Sequence, residues 1–218
     1  MRFHSSVDFP DPRDTMAEGI LAVGGKLDVG TLYTAYSMGI FPWPQVGFPM
    51  LWFSPEKRGV LVFKDFHVPE SLRRFRKKNT QIHFTVNKDL DHVMEECAKQ
   101  PRPGQEGTWI LPIMKRAYHE FNKAGFCLSI EVREENILIG GIYGVLVEGV
   151  FSGESMFYKK PNASKLALWY LVDYLKDQGH EWIDVQMVTP VVQQLGGKYV
   201  DREEYLEMLE DRHRSFSS

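Results

Sequence analysis

The sequence predicts an α+β, or mixed α/β, fold. Three observations carry that expectation. Strand-like runs at 127–133, 137–147 and 150–158 follow one another through short links. Helical runs at 108–125 and 162–179 stand on either side of them. A further strand, EWIDVQM at 181–187, returns after the second helix, so this stretch reads helix, three strands, helix, strand.

From the N-terminus, residues 15–40 combine a glycine turn, Gly24 and Gly25, with a short helical run, TLYTAYSMGI. FPWPQVGFP at 41–49 then holds three prolines, which suit neither a helix interior nor a central strand. It is expected to be a shaped loop that presents Phe41, Trp43 and Phe48 rather than burying them. WFSPEKRGVLVF at 52–63 turns into an apolar strand. A boundary near residue 58 divides a small N-terminal domain, 1–57, from a main domain, 58–218.

In TWILPIMKRAYHEFNKAG (108–125) Thr108 is the expected N-cap, and Ile110, Ile113, Met114, Ala117, Tyr118 and Phe121 recur at helical spacing until Gly125. CLSIEVR (127–133) alternates, with Leu128, Ile130 and Val132 on one face, and EEN makes a turn. ILIGGIYGVLV (137–147) passes through a short EG link into VFSGESMFY (150–158), the pattern of an antiparallel meander. Glycines at 140, 141, 144, 149 and 153 thin this sheet, which calls for a bulge or a ligand that needs the room. NASKLALWYLVDYLKDQG (162–179) runs from an Asn162 cap to Gly179 and is apolar around most of its circumference, hence buried.

Composition narrows the class. At 218 residues, 43% hydrophobic and 25% charged, the chain is that of an ordinary soluble globular protein with a sizeable core. Two distant cysteines, Cys97 and Cys127, give neither a disulfide framework nor a thiolate zinc site, which suits a reducing cytoplasm. MRFHSSVDFP is not a secretory signal, and no stretch approaches the roughly 18 apolar residues of a membrane span. The net charge of −3 excludes a polycation, although RRFRKK at 73–78 is strongly basic and DREEYLEMLED at 201–211 mostly acidic. The basic run suits either a polyanion held at one edge or an ordinary solvated helix face.

Glu154 is a carboxylate inside an otherwise apolar strand, between Gly153 and Ser155. In IDVQ, Asp184 and Gln186 lie two apart on a strand and so share a face, with Ile183 and Val185 turned away. If the two strands are neighbours, three polar groups converge, as either a satisfied hydrogen-bond network or a site. There is no HExxH metal pair, no phosphate-binding glycine loop and no GxSxG elbow, and His119 falls on a polar helix face. Acyl or aminoacyl transfer, or a binding role, is left.

YSMGIFPWP (36–44), LWFSPEKRGVL (51–61), EGTWI (106–110), AYHEF (117–121), GGIYGV (140–145), GESMF (153–157), NASK (162–165) and IDVQ (183–186) occur in the order and spacing of the bacterial leucyl/phenylalanyl-tRNA–protein transferases. The resemblance runs from about residue 9 to about residue 208. It implies an acyl-CoA N-acyltransferase-like main domain behind a small N-terminal one. It implies transfer of Leu or Phe, and less well Met, from aminoacyl-tRNA to the N-terminal Arg or Lys of acceptor proteins, marking them for Clp-dependent degradation. The donor ester is already activated, so no cofactor and no metal is expected. The helix entry KKPNASK lacks the glycine turn that holds pyrophosphate in acyl-CoA enzymes, which agrees with a tRNA donor.

The resemblance further implies that Tyr36 and Trp43, with Trp109 nearby, hold the 3′ adenosine, aromatic stacking being the way unpaired bases are gripped. An apolar pocket for the amino-acid side chain would comprise Ile142, Phe151, Leu168, Leu171, Leu175 and Ile183, and Arg74 and Lys77 would contact tRNA phosphates. For the chemistry, Asp184 is expected to polarise or orient Gln186, which positions the attacking amine, while Glu154 holds an ammonium group. An acyl-CoA-dependent N-acetyltransferase of the same fold and a non-catalytic RNA-binding module are the alternatives.

Overall fold

The computed structural model describes residues 4–101 and 107–216. Glu106 of the EGTWI motif and the first three residues lie outside them. The chain runs β1 (Ile20–Val23), α1 (Val29–Ser37), β2 (Phe41–Pro42), β3 (Leu51–Phe53), β4 (Lys57–Val62), α2 (Glu70–Lys78), β5 (Ile82–Val86), α3 (Leu90–Lys99) and α4 (Pro112–Lys123). It continues through β6 (Cys127–Glu134), β7 (Ile137–Val147), β8 (Val150–Tyr158), α5 (Ala163–Lys176), β9 (Trp182–Gln186), α6 (Pro190–Gln194), β10 (Lys198–Asp201) and α7 (Arg202–Phe216). The fold is mixed α/β.

The meander forms for local reasons. Glu135, Asn136, Glu148 and Gly149 have φ of 48°, 68°, 50° and 74°, so each hairpin turns through two left-handed residues, matching the twist of its strands. The seven-stranded sheet runs β10-β4-β9-β8-β7-β6-β5. Its neighbours are antiparallel except β8 and β9, which are parallel because α5 crosses between them. A smaller sheet, β1-β3-β2, is not hydrogen-bonded to it. Leu128, Ile130 and Val132 share one apolar cluster with Leu72 of α2 and with Leu171 and Leu175 of α5. The opposite face carries Leu32 and Tyr36 of α1, Trp52 of β3, Met94 of α3 and Tyr118 of α4 in a second cluster.

Several expectations are corrected. Helix α4 begins at Pro112, not at Thr108: proline lacks an N–H and suits the first helical position, and it holds Leu111 extended at φ −69°, ψ 162°. The Thr108 hydroxyl instead accepts from the Ile110 amide at 3.1 Å, before the helix. Ile113, placed on the buried stripe, is 46% exposed. Asn162 precedes α5 in a left-handed conformation and makes no side-chain cap. The 52–63 segment supplies two strands in two sheets, broken at Ser54–Glu56. Phe41 is buried, because Phe41–Pro42 forms an edge strand, where proline is tolerated. Interior glycines serve packing: a Cβ on Gly144 would overlap the Ser152 carbonyl and the Phe151 ring, and one on Gly140 would overlap Ala163.

Candidate functional site

Strands β8 and β9 are in register at Ser152 and Asp184. Two residues further along each, Glu154 and Gln186 meet through their side chains, the Gln186 Nε2 donating to Glu154 Oε1 at 2.9 Å. Two helices complete the ring around this carboxyl. Helix α1, capped by Asp28 on the Thr31 amide, points Tyr36 inward, and its hydroxyl donates to Glu154 Oε1 at 2.6 Å. Helix α4 presents Tyr118, which donates to Glu154 Oε2 at 3.0 Å. The two phenol oxygens lie 2.6 Å apart. Both tyrosines are buried, while Glu154 is half-buried.

Burial pushes the Glu154 carboxyl up to about 7; donation by Tyr36, Tyr118 and Gln186 opposes this, and the charge of Asp184 adds to it. Burial likewise drives both phenols well above their ordinary value.

Asp184 reaches Gln186 through the main chain. Its carboxylate takes Arg58 Nε at 2.8 Å and Nη2 at 2.6 Å, the Tyr205 hydroxyl at 3.2 Å, and the Gln186 backbone amide at 2.8 Å. Its hydrogen bond to Gln186 is to the backbone amide, while the side-chain amide of Gln186 is on Glu154. The constraint has a purpose, since Gln186 sits at φ 57°, a left-handed conformation that costs a non-glycine residue about 1–3 kcal/mol. Arg58 is buried between the rings of Phe41 and Tyr205, 4.6 and 4.7 Å from their centroids. Burial opposes its charge, but Asp184 outweighs that and holds the guanidinium above its ordinary value.

Arg58, Tyr118 and Tyr205, which contact Asp184 and Glu154, are not singled out by the sequence reading. Arg58 carried the same signal as Glu154, a charge inside an apolar strand, KRGVLV. Tyr118 falls on the apolar stripe of its helix, although a phenol has a polar tip.

The other expected residues are distributed as follows. Trp43 and Trp109 stack on each other, centroids 5.3 Å apart and planes at 21°. Tyr36 offers no open ring face: it is 3% exposed and packs on Phe121, with its hydroxyl on Glu154. Ile142, Phe151, Leu168, Leu171, Leu175 and Ile183 are all buried together in the cluster between α5 and the sheet. Arg74 and Lys77 are exposed on α2, on the sheet face opposite Trp109. Their neighbours Arg73 and Arg76 are occupied over Trp169 and Phe84. Among the described residues no group of three His, Cys, Asp or Glu could hold a metal, and no helix is long and apolar enough to cross a membrane.

Comparison with known proteins agrees with the motifs. Two family models match, "Leucyl/phenylalanyl-tRNA protein transferase" over residues 60–210 and its N-terminal domain over residues 25–56. A leucyl/phenylalanyl-tRNA–protein transferase of Oleidesulfovibrio alaskensis is 43% identical, covering 94% of this chain and 84% of its own. Those of Pseudoalteromonas atlantica and Flavobacterium johnsoniae are 44% and 40% identical, each covering 94% of this chain and respectively 88% and 96% of their own. Among solved structures, L-PGS from Bacillus licheniformis is loosely similar, with a TM-score of 0.42 and 16% identity over 67% of this chain and 45% of that one. A ribosomal-protein-alanine N-acetyltransferase from Brucella melitensis covers 45% of this chain and 75% of its own, with a TM-score of 0.31 and 13% identity. With a family model spanning most of its length and relatives above 40% identity, the chain belongs to the leucyl/phenylalanyl-tRNA protein transferase family.

Proposed function

We propose that this chain transfers leucine or phenylalanine, and less well methionine, from aminoacyl-tRNA to the α-amine of an acceptor protein that begins with Arg or Lys. The new N-terminus would act as a degradation signal in the cytoplasm. The observation that carries the reading is the Glu154–Gln186 pair, joined at 2.9 Å beyond the last registered position of β8 and β9.

The donor ester needs no further activation, but the acceptor arrives largely as an ammonium, with a free pKa of about 8. Glu154 receives that ammonium. Its carboxyl, pushed up to about 7, is matched closely enough to take the proton. Gln186 commits Nε2 to Glu154, which leaves its Oε1 to accept an N–H of the amine and aim the lone pair. The amine then attacks the ester carbonyl, the carbon–oxygen bond breaks, and the ribose oxygen leaves with a proton. Much of the rate comes from holding the two substrates together. Stacked Trp43 and Trp109 are the aromatic platform for the 3′ adenosine, and Arg74 and Lys77 hold phosphate. The cluster around Ile142, Leu171 and Leu175 opens to take the side chain.

The test mixes purified protein with radiolabelled Leu-tRNA and two peptides, one beginning with Arg and one with acetylated Arg. Label on the free peptide alone, without ATP or CoA, is expected. Label on neither, with Phe-tRNA and Met-tRNA also silent, overturns the reading, and acetylation from acetyl-CoA would favour the N-acetyltransferase alternative.

A further inference from the structure

Three oxygen–oxygen contacts close a ring at the site: Tyr36 to Tyr118 at 2.6 Å, Tyr36 to Glu154 Oε1 at 2.6 Å, and Tyr118 to Glu154 Oε2 at 3.0 Å. Each contact needs one proton, and the two phenols supply two. With Glu154 ionised, one contact is therefore left as two oxygens facing each other without a hydrogen. With Glu154 protonated, its own O–H provides the third, and every group both donates and accepts.

We propose that Tyr118, together with Tyr36, is a positioning residue that makes Glu154 the proton acceptor of the transfer reaction, by closing a hydrogen-bonded ring that is complete only when Glu154 carries the proton. The inference rests on Glu154 being the group that meets the acceptor amine. The proton released by the ammonium enters the ring at Glu154 as the nitrogen lone pair attacks the ester carbon. The ring hands that proton to the ribose oxygen as the carbon–oxygen bond breaks, and the second N–H proton of the adduct passes to solvent as the amide forms, so the ring starts and ends each turnover in the same state and nothing is oxidised or reduced.

The surroundings keep this change of state on Glu154. From α1 and α4 the facing groups are Tyr36 and Tyr118, and from β7 Tyr143 lies edge-on to Tyr118. From β6 comes Cys127, whose thiol burial drives upward, with the Glu154 charge adding to it. From β9 comes Asp184, tied to Arg58 of β4. The phenols of Tyr36 and Tyr118 and the thiol are all pushed away from neutrality in the upward direction.

Donation to the ionised carboxylate pulls the Glu154 value down, while closure of the ring around the protonated carboxyl raises it by more, so the ring and a plain donor role predict opposite shifts on removal of the hydroxyl. If Tyr118 only stabilised an ionised carboxylate, removing its hydroxyl would raise the pH needed for activity. In the ring, the ionised form loses one bond and is relieved of an empty contact, whereas the protonated form loses two bonds and strands its own buried O–H. Tyr118→Phe should therefore make Glu154 a poorer base. The acidic limb of the kcat/KM profile for peptide should move down by about one pH unit, tenfold in proton affinity, and the plateau should fall. Leu-tRNA affinity and thermal midpoint are measured alongside, and Tyr36→Phe gives the same reading should Tyr118→Phe fold poorly.

A downward shift with unchanged Leu-tRNA affinity supports the ring. An upward shift, or a loss uniform across pH with the limb in place, overturns it. Glu154→Gln separates the two levels: if that variant keeps the wild-type rate and profile, the assignment of Glu154 itself is wrong. If it is inactive while the Tyr118→Phe limb stays put, only the ring is wrong.

Discussion

Glu154 makes a thermodynamic statement that can be checked without any substrate. Its folded carboxyl lies at about 7, above the ordinary 4.5, because burial penalises the charge. Between those two values the folded chain holds more protons than the unfolded one, so stability falls as pH rises through this window and the loss is complete above it. Glu154→Gln removes that slope. The variant should gain on the wild type as pH rises from 5 to 8, by up to about 3 kcal/mol in urea unfolding, while losing transfer. Equal differences in stability at both pH values would refute the raised carboxyl. The sequence exposed this residue because a charge among apolar neighbours stands out. It could not expose Tyr36 and Tyr118 as its partners, since their hydroxyls come from positions 118 and 36 residues away.

At the scale of elements, β4 and β9 are joined by the Arg58–Asp184 pair as well as by their backbone ladder. Both side chains are almost fully buried, so removing one strands the other's charge. Arg58→Ala should cost about 3–5 kcal/mol by chemical denaturation and should also impair transfer, because Asp184 would lose the partner that fixes it beneath Gln186. A loss under 1 kcal/mol would mean that water or Tyr205 replaces the guanidinium. Here the sequence-based argument from strand spacing stopped one residue short. A regular pleat puts Asp184 and Gln186 side by side, but the left-handed turn at Gln186 swings its backbone amide onto Asp184 and its side chain towards Glu154. Elements set by local chemistry were legible, as the 137–147 and 150–158 strands show, since their turn residues and alternation act over a few positions. The start of α4 was legible in principle and misplaced because Pro112 outweighs Thr108.

For the whole molecule, the proposed N-terminal domain and main domain share a core, with Leu32, Tyr36 and Trp52 packing in one cluster with Met94, Tyr118 and Tyr143. The hydrogen-bonded ring of Tyr36, Tyr118 and Glu154 draws Tyr36 from residues 1–57 and its other members from the rest of the chain. Residues 1–57 are thus expected to unfold with the main domain, not before it. Native-state hydrogen exchange should give β3 amides and β7 amides the same opening free energy. Earlier opening of β3 would show that the small sheet folds as a separate unit.

The sequence by itself determined the strands β4 and β6 to β9, the helices α1, α4 and α5, the motifs that place the chain in its family, and the polar residues Glu154, Asp184 and Gln186. These follow from periodicity, turn chemistry and the cost of a charge in an apolar run, all of which act between near neighbours. Only the tertiary structure decided what those residues touch: Arg58 for Asp184, two phenols for Glu154, each other for Trp43 and Trp109, and one shared buried cluster for the six apolar residues. The reason is distance along the chain. Burial turns each unsatisfied polar group into a demand for a partner, and the fold alone brings partners more than a hundred residues apart within hydrogen-bonding reach.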